Sequence, residues 1–139
     1  TNMLINCDGG SRGNPGPAAF GFVVKSNGKL VKEGFGYIGI ATNNTAEYTA
    51  VIEALSWLKE NTKDEELTFN LDSLLVVSQL NGLYKVKNAT IRELIVKIRQ
   101  LETSFSKIVY KHVPREQNKE ADRLVNLALD TTLAKWYGN

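Results

Sequence analysis

Four carboxylates occupy places where a carboxylate is unusual. Asp8 closes one apolar run and Asp72 another, Glu47 heads an apolar helical stripe, and Asp122 lies one turn into a helical segment, beside its apolar face. Singly, each has an ordinary structural account. Asp8 runs into Gly9-Gly10-Ser11-Arg12-Gly13-Asn14-Pro15-Gly16-Pro17 and suits a turn, because Asp bonds its own backbone and Gly takes positive φ. Glu47 closes a capping box over Asn44-Thr45-Ala46, and Asp72 suits the N-cap of a short helix. Four acids at one corner are another matter, since two like charges about 4 Å apart repel by roughly 4 kcal/mol at an effective dielectric near 20. Such a cluster holds if some acids keep their protons or a cation neutralises them. Carboxylate oxygens, with one cysteine and one histidine in the whole chain, suit a hard ion such as Mg2+ or Mn2+. Two such ions about 3.5–4 Å apart form a clamp for in-line displacement at phosphorus, one activating a water and the other holding the leaving oxygen. The glycine-rich stretch is no P-loop, because Gly-Lys-Ser/Thr is missing.

The elements that must position these acids follow from periodicity. Residues 3–8, 20–24 and 30–38 read as three antiparallel strands, the last two joined by Ser26-Asn27-Gly28-Lys29, a strong hairpin signal. A helix is expected from Asn43-Asn44 to Lys59, with positions 47, 51, 54, 55 and 58 on one face. A polar linker over 61–66 leads to a strand at 67–71 and a short helix at 74–80, which Asn81-Gly82 ends. After Lys85-Val86-Lys87-Asn88, a helix carries the stripe Ile91, Leu94, Ile95, Ile98 and Leu101. A fifth strand at 108–110 ends near His112-Val113-Pro114, and Asn118 is the expected N-cap of a last helix with Ala121, Leu124, Val125 and Ala128 on its apolar face. Residues 135–139 read as a frayed tail. The order β-β-β-α-β-α-α-β-α gives an α/β fold: a mixed five-stranded sheet, three strands antiparallel and the rest parallel, flanked by helices. Parallel strands would set Asp8 beside Asp72, and two helix starts can turn Glu47 and Asp122 toward the same corner, where ligands gather in such sheets.

With 139 residues the chain is expected to be one domain, a core over about 3–130 and a tail over about 131–139. Its 42% apolar and 23% charged content is ordinary for a soluble globular protein. No apolar run approaches a membrane span and nothing at the start reads as a signal peptide, so a cytoplasmic protein without a membrane partner is expected. The single Cys7 excludes an internal disulfide, fits a reducing compartment, and sits where a small buried side chain belongs. A net charge of +2 neither demands nor excludes a nucleic-acid partner.

Taken together, Asp8-Gly-Gly-Ser with Asn14-Pro-Gly-Pro, Thr42-Asn43-Asn44-Thr45-Ala46-Glu47, Asp72-Ser73 and Asn118-Lys-Glu-Ala-Asp122 resemble ribonuclease H of type 1, over nearly the whole chain. The resemblance implies the ribonuclease H fold and an endonuclease that hydrolyses the RNA strand of an RNA–DNA hybrid with two Mg2+ ions, Mn2+ being a possible substitute; a monomer is expected. It also implies that Asp8, Glu47, Asp72 and Asp122 are the catalytic metal-binding carboxylates. Asn14, Asn43 and Asn44 fall where the family contacts the RNA backbone and its 2′-hydroxyls, and an amide that both donates and accepts suits a hydroxyl that DNA lacks. Thr42 falls where the family grips a DNA phosphate, and Lys85, Lys87 and Asn88 where further backbone contacts are expected; a solvated basic pair is the plain alternative. Counted back from Asp122, His112 matches the family's mobile histidine, implied in product release or proton transfer.

Two departures stand out. The family's histidine usually lies in a glycine-containing loop, whereas Val113-Pro114 follows His112, and proline stiffens that loop. A lone histidine at a strand end is more often structural. Many bacterial members also carry a basic handle and an extra helix where this chain has only Asn81-Gly82-Leu83-Tyr84, which marks the short form and implies fewer phosphate contacts and a shallower salt slope. Two rivals share the fold: a nuclease or resolvase acting on DNA, which has no need of Asn43-Asn44 to read a 2′-hydroxyl, and a non-catalytic hybrid-binding module, which should lack one or more of the acids.

Overall fold

The computed structural model describes residues 2–63 and 66–137; part of the expected 61–66 linker and the end of the expected tail lie outside the described residues. Five strands form one mixed sheet in the order β3-β2-β1-β4-β5. Strands β1 (Asn2–Ser11), β2 (Gly16–Ser26) and β3 (Lys29–Ala41) are antiparallel, while β4 (Glu66–Leu71) and β5 (Lys107–His112) run parallel to β1. The expected hairpin turn is present, with Asn27 at φ 52° and Gly28 at φ 77°, the left-handed pair of a type I′ turn. Helices α1 (Asn43–Asn61), α2 (Leu74–Leu80), α3 (Ala89–Glu102) and α4 (Lys119–Tyr137) flank the sheet, and a 3-10 turn at Arg115–Gln117 precedes α4.

Side-chain alternation along β1 and β2 divides the packing. Ile5, Cys7, Phe22 and Val24 face α1 and bury themselves against Val51, Leu55 and Leu58, in a core completed by Phe69 and Ile98. Each such side chain contributes roughly 1.5–3 kcal/mol through the apolar surface it removes from water. Ala19 faces the other way and packs with Val125, Ala128 and Leu129 of α4 and with Tyr37. Among the described residues, three ion pairs link α4 to β2, to the turn after β1 and to β3: Lys25–Glu120 at 2.7 Å, Arg12–Asp130 at 2.6 Å and Arg123–Glu33 at 2.7 Å.

Several boundaries differ from the sequence reading, each for a tertiary reason. Asp8 does not end its strand: β1 continues through Gly9-Gly10-Ser11, which pair with Phe20, Ala19 and Ala18, because β2 extends beyond the point where the parallel ladder with β4 stops at Asn6–Asn70. The cap of α1 is Thr42, whose hydroxyl accepts from the Thr45 N–H at 3.2 Å, in place of Asn44 with Glu47. Ser73, not Asp72, caps α2, accepting from the Val76 N–H at 3.2 Å. Of the residues expected to fray, 135–137 are helical, and the Trp136 ring meets Tyr37 edge-on at 5.2 Å. No helix among the described residues is long and apolar enough to cross a membrane.

Candidate active site

The two cap exchanges free both acids for another task. Asp8, Glu47 and Asp72 each present a carboxylate oxygen, and these atoms lie within 4.8 Å of one another. Asp122, one turn into α4, completes the lining of the same cleft, and its carboxylate adds to the proton affinity of Asp8. Asp8 is buried, Glu47 and Asp72 are half-buried and Asp122 is exposed. One oxygen of Glu47, Oε2, is buried with no hydrogen-bond partner among the described residues. A buried acceptor left unpaired is costly, and a cation is the partner that a set of oxygen donors lacks. The residues therefore fit a hard divalent ion.

Two glycines decide how close the acids come. Gly9 follows Asp8 and faces α1, and a Cβ there would run into the backbone of Ala46 and Glu47. Gly21 is the cross-strand partner of Asp8 and faces α4, and a Cβ there would lie 2.7 Å from the Ala121 carbonyl oxygen and 2.9 Å from Leu124 Cβ. The absence of these two methyl groups lets the starts of α1 and α4 settle onto the sheet, carrying Glu47 and Asp122 toward Asp8.

The crowding shows in the proton affinities. Burial, then the charges of Asp72, Glu47 and Asp122, push Asp8 from the ordinary 3.8 up to about 8. Burial and the Asp72 charge push Glu47 from 4.5 up to about 8, with Arg115 opposing the rise. Both groups hold protons more tightly folded than unfolded, so the stability they favour is present below about pH 4 and is lost as pH rises through about 8. Without divalent ions, the melting temperature is expected to fall steadily from about pH 5 to pH 9, and saturating Mg2+ is expected to flatten that slope. A thermal melt series with and without chelator checks this; a slope that Mg2+ leaves unchanged would contradict it.

Beside the acids lies a second cleft, lined by Asn14, Thr42, Asn43, Asn44, Gln79, Lys87 and Asn88 among others. Asn43 lines both clefts and ties them together: its Oδ1 accepts from the Ser11 N–H at 2.8 Å, and its own N–H donates to Asn14 Oδ1 at 3.0 Å. The Asn88 Oδ1 caps α3 by accepting from the Ile91 N–H at 3.0 Å, which leaves its amide hydrogens for a ligand. Lys85 stands exposed in the segment between α2 and α3. His112 is exposed at the last position of β5, opposite Leu71, and does not line the acid cleft. Arg115 does line it and lowers the proton affinity of Glu47. The sequence reading passed over Arg115 because nothing local distinguishes it from a surface cation; only the 3-10 turn brings it to the acids.

Residues 6–128 match the family described as "Reverse transcriptase-like". Ribonuclease HI of Halobacterium salinarum is 46% identical over 124 residues, covering 88% of this chain and 62% of that protein. The bifunctional protein Rv2228c of Mycobacterium tuberculosis is 42% identical over 130 residues, covering 92% of this chain and 35% of that protein. The solved structure of LC11-RNase H1 in complex with an RNA/DNA hybrid superimposes with a TM-score of 0.90 at 43% identity, covering 94% of this chain and 99% of that one. The chain belongs to the type 1 ribonuclease H family. It spans about a third of the length of the mycobacterial relative and less than two thirds of the halobacterial one. Within that family it is of the short form: residues 81–88 join α2 to α3 directly, with no handle and no further helix between them.

Proposed function

We propose that the chain is an endonuclease that hydrolyses the RNA strand of RNA–DNA hybrids and leaves 5′-phosphate and 3′-hydroxyl ends. The observation that carries this reading is the convergence of Asp8, Glu47 and Asp72, their oxygens within 4.8 Å, beside an asparagine-lined cleft. The structure of the LC11 protein, 43% identical to this chain, is in complex with an RNA/DNA hybrid. Asp8, Glu47, Asp72 and Asp122 would hold two Mg2+ ions, with Mn2+ as a substitute. When bound, such ions supply Lewis-acid polarisation and an activated water for phosphodiester hydrolysis. The side chains' own contribution is to fix donor positions before the substrate arrives and to keep the scissile phosphate oriented at the corner of the sheet. Asn14, Asn43 and Asn44 would meet 2′-hydroxyls and the RNA backbone from the second cleft, while Thr42, Lys87, Asn88 and the exposed Lys85 would hold phosphates. His112, at the end of β5 and outside the lining of the acid cleft, is proposed to serve product release or proton transfer rather than metal holding. The unbroken sheet and the family match over 6–128 support one domain over about 3–130, and it is expected to act as a monomer.

The test is a cleavage assay on RNA–DNA hybrid, double-stranded DNA and double-stranded RNA, each with Mg2+, Mn2+ or chelator. Cleavage of the hybrid's RNA strand, abolished by chelator, is expected. Cutting of DNA would favour a resolvase-like nuclease, and binding without cutting in either metal would favour a non-catalytic hybrid-binding module.

A further inference from the structure

Asn118 sits at the start of α4, where its carbonyl accepts the Asp122 N–H at 3.1 Å, yet its side chain does no capping. It is 1% exposed, among the most buried polar residues described. Its Nδ2 donates to Asp72 Oδ2 at 3.0 Å and to the Cys7 carbonyl at 2.8 Å. Its Oδ1 accepts from Asn6 Nδ2 at 3.1 Å, and Asn6 Nδ2 also donates to the Gln117 carbonyl at 3.1 Å. The two ends of an amide are not equivalent. Turned over, Asn118 would set its oxygen against a carbonyl and a carboxylate, and its NH2 against the donor of Asn6. A single orientation satisfies every partner, and Asn6 selects it.

We propose that Asn118 is a positioning residue for Asp72 and that Asn6 acts through it. One amide joins three elements: the main chain of β1 beside Asp8, the acid that follows β4, and the start of α4 that carries Asp122. It ties one oxygen of Asp72 to the fold and so limits the directions the other can take toward Asp8 and Glu47. Losing a group that orients a metal ligand in this way typically costs about ten- to a hundredfold in metal affinity. The inference rests on the reading of Asp72 as a metal-holding acid of a hybrid nuclease.

The experiment compares the wild type with Asn118→Ala, Asn6→Ala and the double variant. Three quantities are read for each: the Mg2+ concentration at the midpoint of the metal-induced rise in melting temperature, the Mg2+ midpoint for hybrid cleavage, and hybrid affinity in chelator. For Asn118→Ala both Mg2+ midpoints are expected to rise about tenfold or more, the scale typical of groups behind metal ligands. Hybrid affinity in chelator should stay at the wild-type value, which a loosened fold would not allow. Asn6→Ala should shift the midpoints in the same direction by less, and the double variant should be no worse than Asn118→Ala. A folded Asn118→Ala with wild-type midpoints overturns the proposal, as do single-variant effects that simply multiply. If Asn118→Ala does not fold, Asn6→Ala decides, and wild-type midpoints there overturn it. A wild type that neither cleaves hybrid nor responds to Mg2+ removes the metal reading itself; unchanged variants beside a responsive wild type remove only the positioning role.

Discussion

Asp8→Asn is expected to cleave hybrid slower than wild type by on the order of a thousandfold or more, because bound metal contributes several kcal/mol of charge stabilisation and each ~1.4 kcal/mol is tenfold. The same variant is expected to be more stable than wild type in chelator at pH 8. Asp8 is buried among three other acids and raised to about 8, so ionising it opposes folding, whereas asparagine keeps the shape without the charge. Mg2+ should then raise the wild-type melting temperature and raise that of Asp8→Asn much less, since binding to the folded state stabilises in proportion to ligand over Kd. Hybrid binding in chelator should survive, because the asparagine-lined cleft is separate from the carboxylate. Loss of activity, gain in metal-free stability and loss of the metal response form one signature. Near-normal cleavage, or equal Mg2+ shifts in the two proteins, would show that no ion is shared at this corner.

Gly21→Ala is expected to lose about 3 kcal/mol of stability or more, at the upper end of overpacking costs, together with most cleavage activity. Its added methyl meets the Ala121 carbonyl oxygen at 2.7 Å, Leu124 Cβ at 2.9 Å and the Val125 nitrogen at 3.1 Å. None of these is the tip of a flexible side chain, so α4 itself must lift, and Asp122 leaves with it. Gly9→Ala should behave alike through the other helix, since its methyl collides with the backbone of Ala46 and Glu47. Gly10→Ala is the control: its methyl would reach Val125 Cγ1 at 3.6 Å, an ordinary contact, and its cost should stay within about 1 kcal/mol. Urea denaturation of the three variants, with hybrid cleavage assayed in parallel, measures both effects. If Gly21→Ala is as stable and as active as Gly10→Ala, close approach of α4 is not what sets the acid corner.

What the sequence determined by itself was everything carried by local periodicity and turn chemistry. The order of elements, the Asn27-Gly28 hairpin and the stripes Val51-Leu55-Leu58 and Ile91-Ile98 all depend on neighbours a few residues apart, and all are present in the fold. The four acids were legible for the same reason, as carboxylates out of place in otherwise apolar patterns. Tertiary structure decided which competing partner each polar group takes. Thr42 and Ser73 win the caps that Asn44 with Glu47 and Asp72 could have filled, and the displaced carboxylates meet Asp8. Asp8 lies within its strand because β2, not β1, sets where pairing stops. Gly9 and Gly21 look like turn and strand glycines until α1 and α4 are laid against them. Asn118 reads as a cap until its amide is seen reaching Cys7 and Asp72, residues more than forty positions away in the chain. Local sequence fixes what a segment can become, because backbone propensity and side-chain period act over one or two turns. It does not fix which of two nearby donors or acceptors is satisfied, since that choice is made by groups that only folding brings into reach.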